Sequence, residues 1–287
     1  MSQFTTTMNQ LTTPRNLRNA QPTQDGAGVK IRRIHDFGGG MDPFLMLDEL
    51  KASAREDYIG GFPPHPHRGF ETLTYILHGG LTHEDSMGNR GEVHAGDAQW
   101  MSAAHGVIHS EMPLLDSDGL HGFQIWINLP SHRKMQAPQY RDLRDAEMGH
   151  LHWESGHLKA IAGHWQTSAG EASSDLPQVG EQAALADLQL KAGASLTLQQ
   201  PEGRSVHAYV YQGDLAQGVR SGQLASFMPE NGQVILQAGD ADTGVLLLTG
   251  PALREPIAHY GPFVMNTPAE IQQAFQDYQT GQLTTMQ

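Results

Sequence analysis

The chain has 287 residues, enough for one large or two ordinary domains, and its 38% hydrophobic and 17% charged content is that of a folded protein able to bury a core. A formal net charge of −13 leaves no broad basic footprint, so direct nucleic-acid binding is not expected, and the absence of cysteine excludes a disulfide framework, thiolate zinc sites and thiol catalysis. No window approaches a membrane-spanning length and the first residues lack a charged-then-apolar secretory pattern, so a soluble, cytoplasmic protein is expected, while sixteen histidines point to metal binding.

Residues 1–30 are polar and aperiodic and read as a loosely ordered start able to contribute an edge strand. From about Gly28 to Pro130, short β-rich runs alternate with Gly and Pro punctuation: 71–77, 92–93, 98–101, 107–111 and 122–129. In the last of these Phe123, Ile125, Ile127 and Leu129 share one face, and Gln124, Trp126 and Asn128 the other. The polar stretch around Pro138 reads as a linker, dividing the chain into a first domain over 1–135, a linker over 136–155 and a second domain over 156–287. The second domain repeats the β pattern at 157–162, 187–191, 195–198, 206–211, 233–236 and 245–249. Both halves therefore read as all-β sandwiches or barrels.

Two internal matches suggest duplication. Tyr75-Ile-Leu-His-Gly-Gly-Leu81 matches Tyr209-Val-Tyr-Gln-Gly-Asp-Leu215, and His94-Ala-Gly-Asp-Ala98 matches Gln237-Ala-Gly-Asp-Ala241, at offsets of 134 and 143. Near the end, Thr267 suits a helix cap, Pro268 the first helical position and Gly281 the terminator. Ile271, Phe275 and Tyr278 would form that helix's buried face against a barrel.

Residues two apart on a strand point to the same side, so His65-Pro-His67 presents two imidazoles together and His109-Ser-Glu111 an imidazole and a carboxylate. The second pair begins 42 residues after His67, which suits two strands facing each other across a barrel. Three neutral nitrogens and one carboxylate fit Fe(II), Mn, Co, Ni, Cu or Zn with positions left for water or substrate. Glu71, three intervening residues after His67, competes for the carboxylate role, since that spacing also resembles a metal-binding pattern of cupin barrels; strand geometry favours Glu111. His150-Leu-His152 shows how cheaply the His-x-His pattern arises: it lies in the linker with no second pair, and reads as accidental. His78, His83, His94, His105 and His121 are candidates for orienting the ligands, though surface and turn positions are commoner. Trp100, Phe123 and Trp126 read as core, and Gly38-Gly-Gly40 as a turn, since no phosphate-loop pattern follows it.

The segments Asp42-Pro-Phe-Leu-Met-Leu-Asp48, His65-Pro-His-Arg-Gly-Phe-Glu-Thr72, His83-Glu-Asp-Ser-Met-Gly88, Gly96-Asp-Ala-Gln-Trp-Met101, Gly106-Val-Ile-His-Ser-Glu-Met-Pro113, Leu253-Arg-Glu-Pro256 and Tyr260-Gly-Pro-Phe-Val-Met-Asn266 together resemble the pirin family of the bicupin superfamily. The resemblance implies two tandem cupin barrels, with iron in the N-terminal one on His65, His67, His109 and Glu111, which decides against Glu71. Aligning Tyr75 with Tyr209 sets Gln199 and Pro201 where His65 and His67 stand, so a metal-free second barrel is expected. The family resemblance further implies either quercetin 2,3-dioxygenase activity or, in eukaryotes, a nuclear iron-dependent transcriptional cofactor. The leading expectation is a monomeric Fe(II) dioxygenase that cleaves a flavonol-like substrate with O2, Glu111 accepting the enol proton. The alternative is a redox-sensing regulator with a protein partner, and a third reading makes the metal a structural staple.

Overall fold

The computed structural model describes residues 10–115, 118–176 and 179–285. Each half of the chain folds as a seven-stranded antiparallel sheet packed with a smaller sheet. The first large sheet runs in the order Gln139–Leu143, Ala98–Ser102, Phe70–His78, Leu120–Asn128, Phe44–Ala52, Val29–His35, Gln21–Asp25. Its companion runs Phe62–His67, Val107–Pro113, Gly80–Asp85, Arg90–His94. The second large sheet runs Asn16–Asn19, Gln223–Phe227, Val206–Gln212, Thr243–Thr249, Ala184–Leu190, Gly156–Ala162, Gly149–Trp153. Apart from the first strand of each order, the two large sheets have the same connectivity, the expected signature of two cupin barrels in tandem.

The outer strands are exceptions to simple tandem order. Asn16–Asn19, from the start of the chain, pairs with Gln223–Phe227 in the second barrel, whereas Gln21–Asp25 pairs with Val29–His35 in the first. Residues 16–25 thus supply an edge to each barrel, in keeping with the expected edge strand, while residues 1–9 of that stretch lie outside the described residues. The polar stretch 136–155 is divided in the same way, with Gln139–Leu143 in the first sheet and Gly149–Trp153 in the second.

The match of Tyr75–Leu81 with Tyr209–Leu215 joins equivalent strands, but the second repeat match does not. His94–Ala98 leads into Ala98–Ser102, whose counterpart is Gln223–Phe227, while Gln237–Ala241 leads into Thr243–Thr249, the counterpart of Leu120–Asn128. The shared Ala-Gly-Asp-Ala reflects a common turn chemistry before a strand, not common descent of the two positions.

Apolar residues fill the second barrel: Leu188, Leu196, Leu198, Val234, Leu236 and Val245 belong to one buried cluster. Another cluster joins the facing large sheets through Phe44, Tyr75, Phe123, Leu185, Leu246 and Leu248. The first barrel has a main apolar cluster around Ile31, Leu50, Ile76 and Leu120 and smaller ones around Leu45 and Phe70 and around Met101 and Val107. The imidazoles lie among polar residues such as His83, Glu111 and Gln124.

The helix Pro268–Gln279 is capped by Thr267, whose side chain accepts from the Glu270 amide while the Glu270 carboxylate accepts from the Thr267 amide. Ile271 and Ala274 are buried and Phe275 half-buried, but Tyr278 is 41% exposed and does not join the expected face. The helix packs with Phe263, Met265 and Leu283 beside Ile108 of the first barrel. Arg68 holds it there through Asp277 at 2.7 Å. Among the described residues no helix is long and apolar enough to cross a membrane.

Candidate metal centre

The two same-face pairs sit on neighbouring strands of one sheet, not on strands facing each other across the barrel. Phe62–His67 and Val107–Pro113 run antiparallel, with His65 opposite His109 and His67 opposite Val107. This brings the rings of His65, His67 and His109 to centroid separations of 4.4 to 4.9 Å, with a nitrogen of each within 4.8 Å of the others. A bulge between His109 and Glu111 shifts the register, so Glu111 pairs with Phe62. Glu111 stands outside the close triad. Its carboxylate lies 3.1 Å from the Thr74 hydroxyl and 3.5 Å from Gln124 Nε2.

Each imidazole is oriented from behind. His65 Nδ1 lies 2.9 Å from the Pro63 carbonyl and His67 Nδ1 lies 3.3 Å from the Pro262 carbonyl. A carbonyl can only accept, so both rings carry their proton on Nδ1 and keep the Nε2 lone pair free. His109 Nδ1 faces His83 Nδ1 at 3.5 Å, and His83 Nε2 reaches Asp85 at 3.1 Å. With Asp85 accepting from His83, His83 accepts in turn from His109, leaving the His109 Nε2 lone pair free as well. His109 Nε2 is buried without a hydrogen-bond partner. Burial, reinforced by the neighbouring imidazoles, pushes His67 and His109 well below the usual histidine range. Three neutral imidazoles with inward lone pairs, one of them an orphaned buried nitrogen, are a donor set that fits a divalent transition ion.

The other sequence candidates separate clearly. Glu71 is fully buried and committed elsewhere, accepting from Trp100 Nε1 at 3.0 Å and from the Gly180 amide at 2.7 Å. Of the other first-half histidines, His83 backs His109, His121 bonds Glu49 at 3.0 Å, and His78 lies at the surface against Asp118. Trp100 is core as expected, whereas Trp126 is only partly buried, stacks on Phe70 at 4.2 Å and meets His67 in a T-shaped contact at 5.2 Å.

A cavity of about 1080 Å³ opens onto His65, His67 and Glu111. Met46, Leu50, Phe62, Leu81 and Trp126 give it apolar walls, and Gln124 and Arg33 add polar groups. Arg33 is tied to Asp48 at 2.6 Å and to Asp25 at 2.5 Å. Part of the mouth comes from the other end of the chain, where His259 stacks on Phe37 at 3.6 Å beside Pro262. Sequence periodicity gave no sign that residues 259–262 return to the first barrel; the presence of residues 260–262 in the family-like segment Tyr260-Gly-Pro-Phe-Val-Met-Asn266 was the available signal.

In the second barrel the equivalent places hold apolar residues and the buried Gln200 instead of imidazoles and a carboxylate. Leu81 pairs with Pro113 in the first barrel, and its counterpart Leu215 bridges Ala238 in the second. Carrying that register inward puts Val234 at the place of His109 and Leu236 at that of Glu111, and Leu198, opposite Val234, at that of His65. The offset of 134 residues, which selects Gln199 and Pro201, is one residue out of register, and one residue turns a side chain to the other face.

Duplicated antiparallel barrels, with one imidazole triad in the first, define a bicupin with a single candidate metal centre of this kind among the described residues. Two family models match, Pirin over residues 29–127 and the Pirin C-terminal cupin domain over 185–284. The chain belongs to the pirin family. A Vibrio cholerae protein provisionally named as a quercetin 2,3-dioxygenase is 46% identical, over 93% of this chain and 95% of its own length. Human pirin is 34% identical, with 88% of each chain covered. A crystal structure of a quercetin 2,3-dioxygenase from Acinetobacter baumannii superposes with a TM-score of 0.85 at 31% identity, covering 96% of this chain and 99% of that one. A bacterial pirin from Escherichia coli, solved with nickel(II), superposes at 0.59 with 26% identity, covering 83% and 99%.

Proposed function

We propose that the protein is a metal-dependent dioxygenase that opens the ring of a flavonol-like substrate with O2. The observation that carries this reading is the apolar-walled cavity ending on His65 and His67, with Glu111 on its wall. Such a space suits a planar, largely apolar molecule with one polar edge. A deep, apolar-walled pocket beside the triad also favours turnover over a surface-reading regulator.

In this reading His65, His67 and His109 hold the ion, which we take to be Fe(II), with Glu111 as its fourth ligand before substrate enters. When bound, the ion supplies polarisation of the enol oxygen and orientation beside O2. Glu111 accepts the enol proton, a role open to a carboxylate within hydrogen-bond reach of the substrate oxygen. Thr74 and Gln124 steady the carboxylate at distances of 3.1 and 3.5 Å. Trp126, Leu50 and Phe62 cover the aromatic faces of the substrate and exclude water from the reacting edge.

The test is anaerobic purification with metal analysis, followed by incubation of the metal-loaded protein with quercetin and O2. The expected result is oxygen-dependent loss of flavonol absorbance with release of carbon monoxide, abolished by His65→Ala. Metal-loaded protein that leaves quercetin intact under oxygen would refute the reading.

A further inference from the structure

The strands Gly149–Trp153 and Gly156–Ala162 form a hairpin at the outer edge of the second large sheet. His150 and His152, two residues apart, share a face, and the register sets His157 directly opposite His152 and Lys159 opposite His150. A third histidine across the hairpin therefore completes a pair that spacing along the chain marks as accidental. Nitrogens of all three lie within 4.8 Å of one another.

The rings are stacked nearly parallel, His152 on His157 at 4.1 Å and 3°, and His150 by His157 at 5.3 Å and 6°. His150 Nδ1 and His157 Nε2 are 3.1 Å apart, so one bears the proton and the other accepts it. His150 Nε2 faces the Asp145 carbonyl at 3.0 Å and the Asp145 carboxylate at 3.4 Å, and Lys159 reaches that same carboxylate at 2.6 Å. Partial burial and the adjacent His152 and His150 push His157 down to about 4, so the cluster's central ring is neutral near pH 7.

We propose that His150, His152 and His157 form a second metal site, for a late first-row divalent ion such as Ni(II), Cu(II) or Zn(II), separate from the centre in the first barrel. Imidazole is a common donor to all three ions. His150 and His152 are exposed and His157 half-buried, so the rings converge by turning about their soft terminal torsions, exchanging the contact between His150 and His157 for bonds to the ion. The Asp145 carboxylate lies close enough to offset the added charge. Bridging His152 to His157 would also clasp the sheet's edge strand to its neighbour, and solvent supplies the remaining ligands.

The experiment is calorimetric titration of the tag-free, full-length chain with Ni(II). The wild type is expected to take up two equivalents, the His152→Ala/His157→Ala variant one, and the His65→Ala/His67→Ala variant one. Combining the four substitutions removes both. Circular dichroism of each variant establishes that it is folded, and the first pair, at an exposed hairpin, tests the site even where the His65/His67 variant unfolds. Wild-type uptake of a single equivalent, or unchanged uptake after His152→Ala/His157→Ala, would overturn the proposal. Neither result depends on whether the first centre turns over a flavonol.

Discussion

Tyr209 of the second barrel donates its hydroxyl to Glu49 of the first at 2.7 Å, and the reverse bond, from Tyr75 to Asp187, spans 2.9 Å. The reciprocity is a property of the duplication. Tyr75, Phe123 and Glu49 form one row across the first large sheet, and Tyr209, Leu246 and Asp187 form the same row across the second. Each tyrosine reaches over to the other row's carboxylate, so the two barrels are fastened by one bond used twice. Removing the hydroxyl with Tyr209→Phe is expected to cost about 1.5–3 kcal/mol, the range for a hydrogen bond to a charged group. Urea denaturation of wild type and variant measures it, and Tyr209→Phe combined with Glu49→Gln should cost less than the sum of the single changes.

The two carboxyls differ in their surroundings, and this gives them opposite pH dependence. Burial alone would raise Glu49, but the hydrogen bonds from His121 and Tyr209 outweigh it and hold the group below its ordinary value of 4.5. Its contribution is therefore present above that value and is lost as pH falls towards the lowered one. Burial dominates at Asp187 and raises it above 3.8 despite the hydrogen bonds from Tyr211 and Tyr75. That contribution is complete below 3.8 and declines as pH rises through the raised value. Denaturation curves across pH should show Glu49→Gln closing on the wild type as pH falls, and Asp187→Asn gaining on the wild type as pH rises. Parallel curves for wild type and Asp187→Asn would remove the second half of this account.

Much of the centre was legible because strand periodicity is local: two histidines at i and i+2 share a face wherever the strand lies. What strand those residues meet is not local. The sequence could not say that Phe62–His67 and Val107–Pro113 are neighbours in one sheet, nor that the bulge after His109 would set Glu111 apart from the triad. The same limit explains the second barrel, where counting from Tyr209 lands on Gln199 and Pro201, while hydrogen-bond register selects Leu198. It also explains His157, which joins His150 and His152 only through the hairpin, and Pro262, which reaches His67 from 195 residues away.

The line from Asp85 through His83 to His109 predicts a measurable effect on the metal. His83 is buried and takes no part in the triad, yet it fixes which nitrogen of His109 carries the proton. His83→Ala should lower metal affinity about 10- to 100-fold, the usual loss when a ligand's outer partner is removed. His83→Gln, which keeps an acceptor near His109 Nδ1, should recover part of that loss. Competition against a chelator of known affinity gives the numbers, and equal affinity in wild type and His83→Ala would mean that the strand alone orients His109.

In the proposed function, Glu111 is the residue at which metal binding and chemistry would be separable. Its position outside the imidazole triad, within reach of Thr74 and Gln124 and on the cavity wall, suits a group that leaves the ion when substrate arrives and takes up a proton. Glu111→Gln preserves the shape and the contact with Thr74 but cannot accept that proton. Metal content should stay near wild type while the rate of flavonol loss falls about 10²- to 10⁴-fold, the range contributed by a positioned general base. A rigid fourth ligand would give the other pattern, in which metal content and rate fall together. Metal analysis and turnover measured on the same preparation distinguish the two, and full turnover in Glu111→Gln would take Glu111 out of the mechanism.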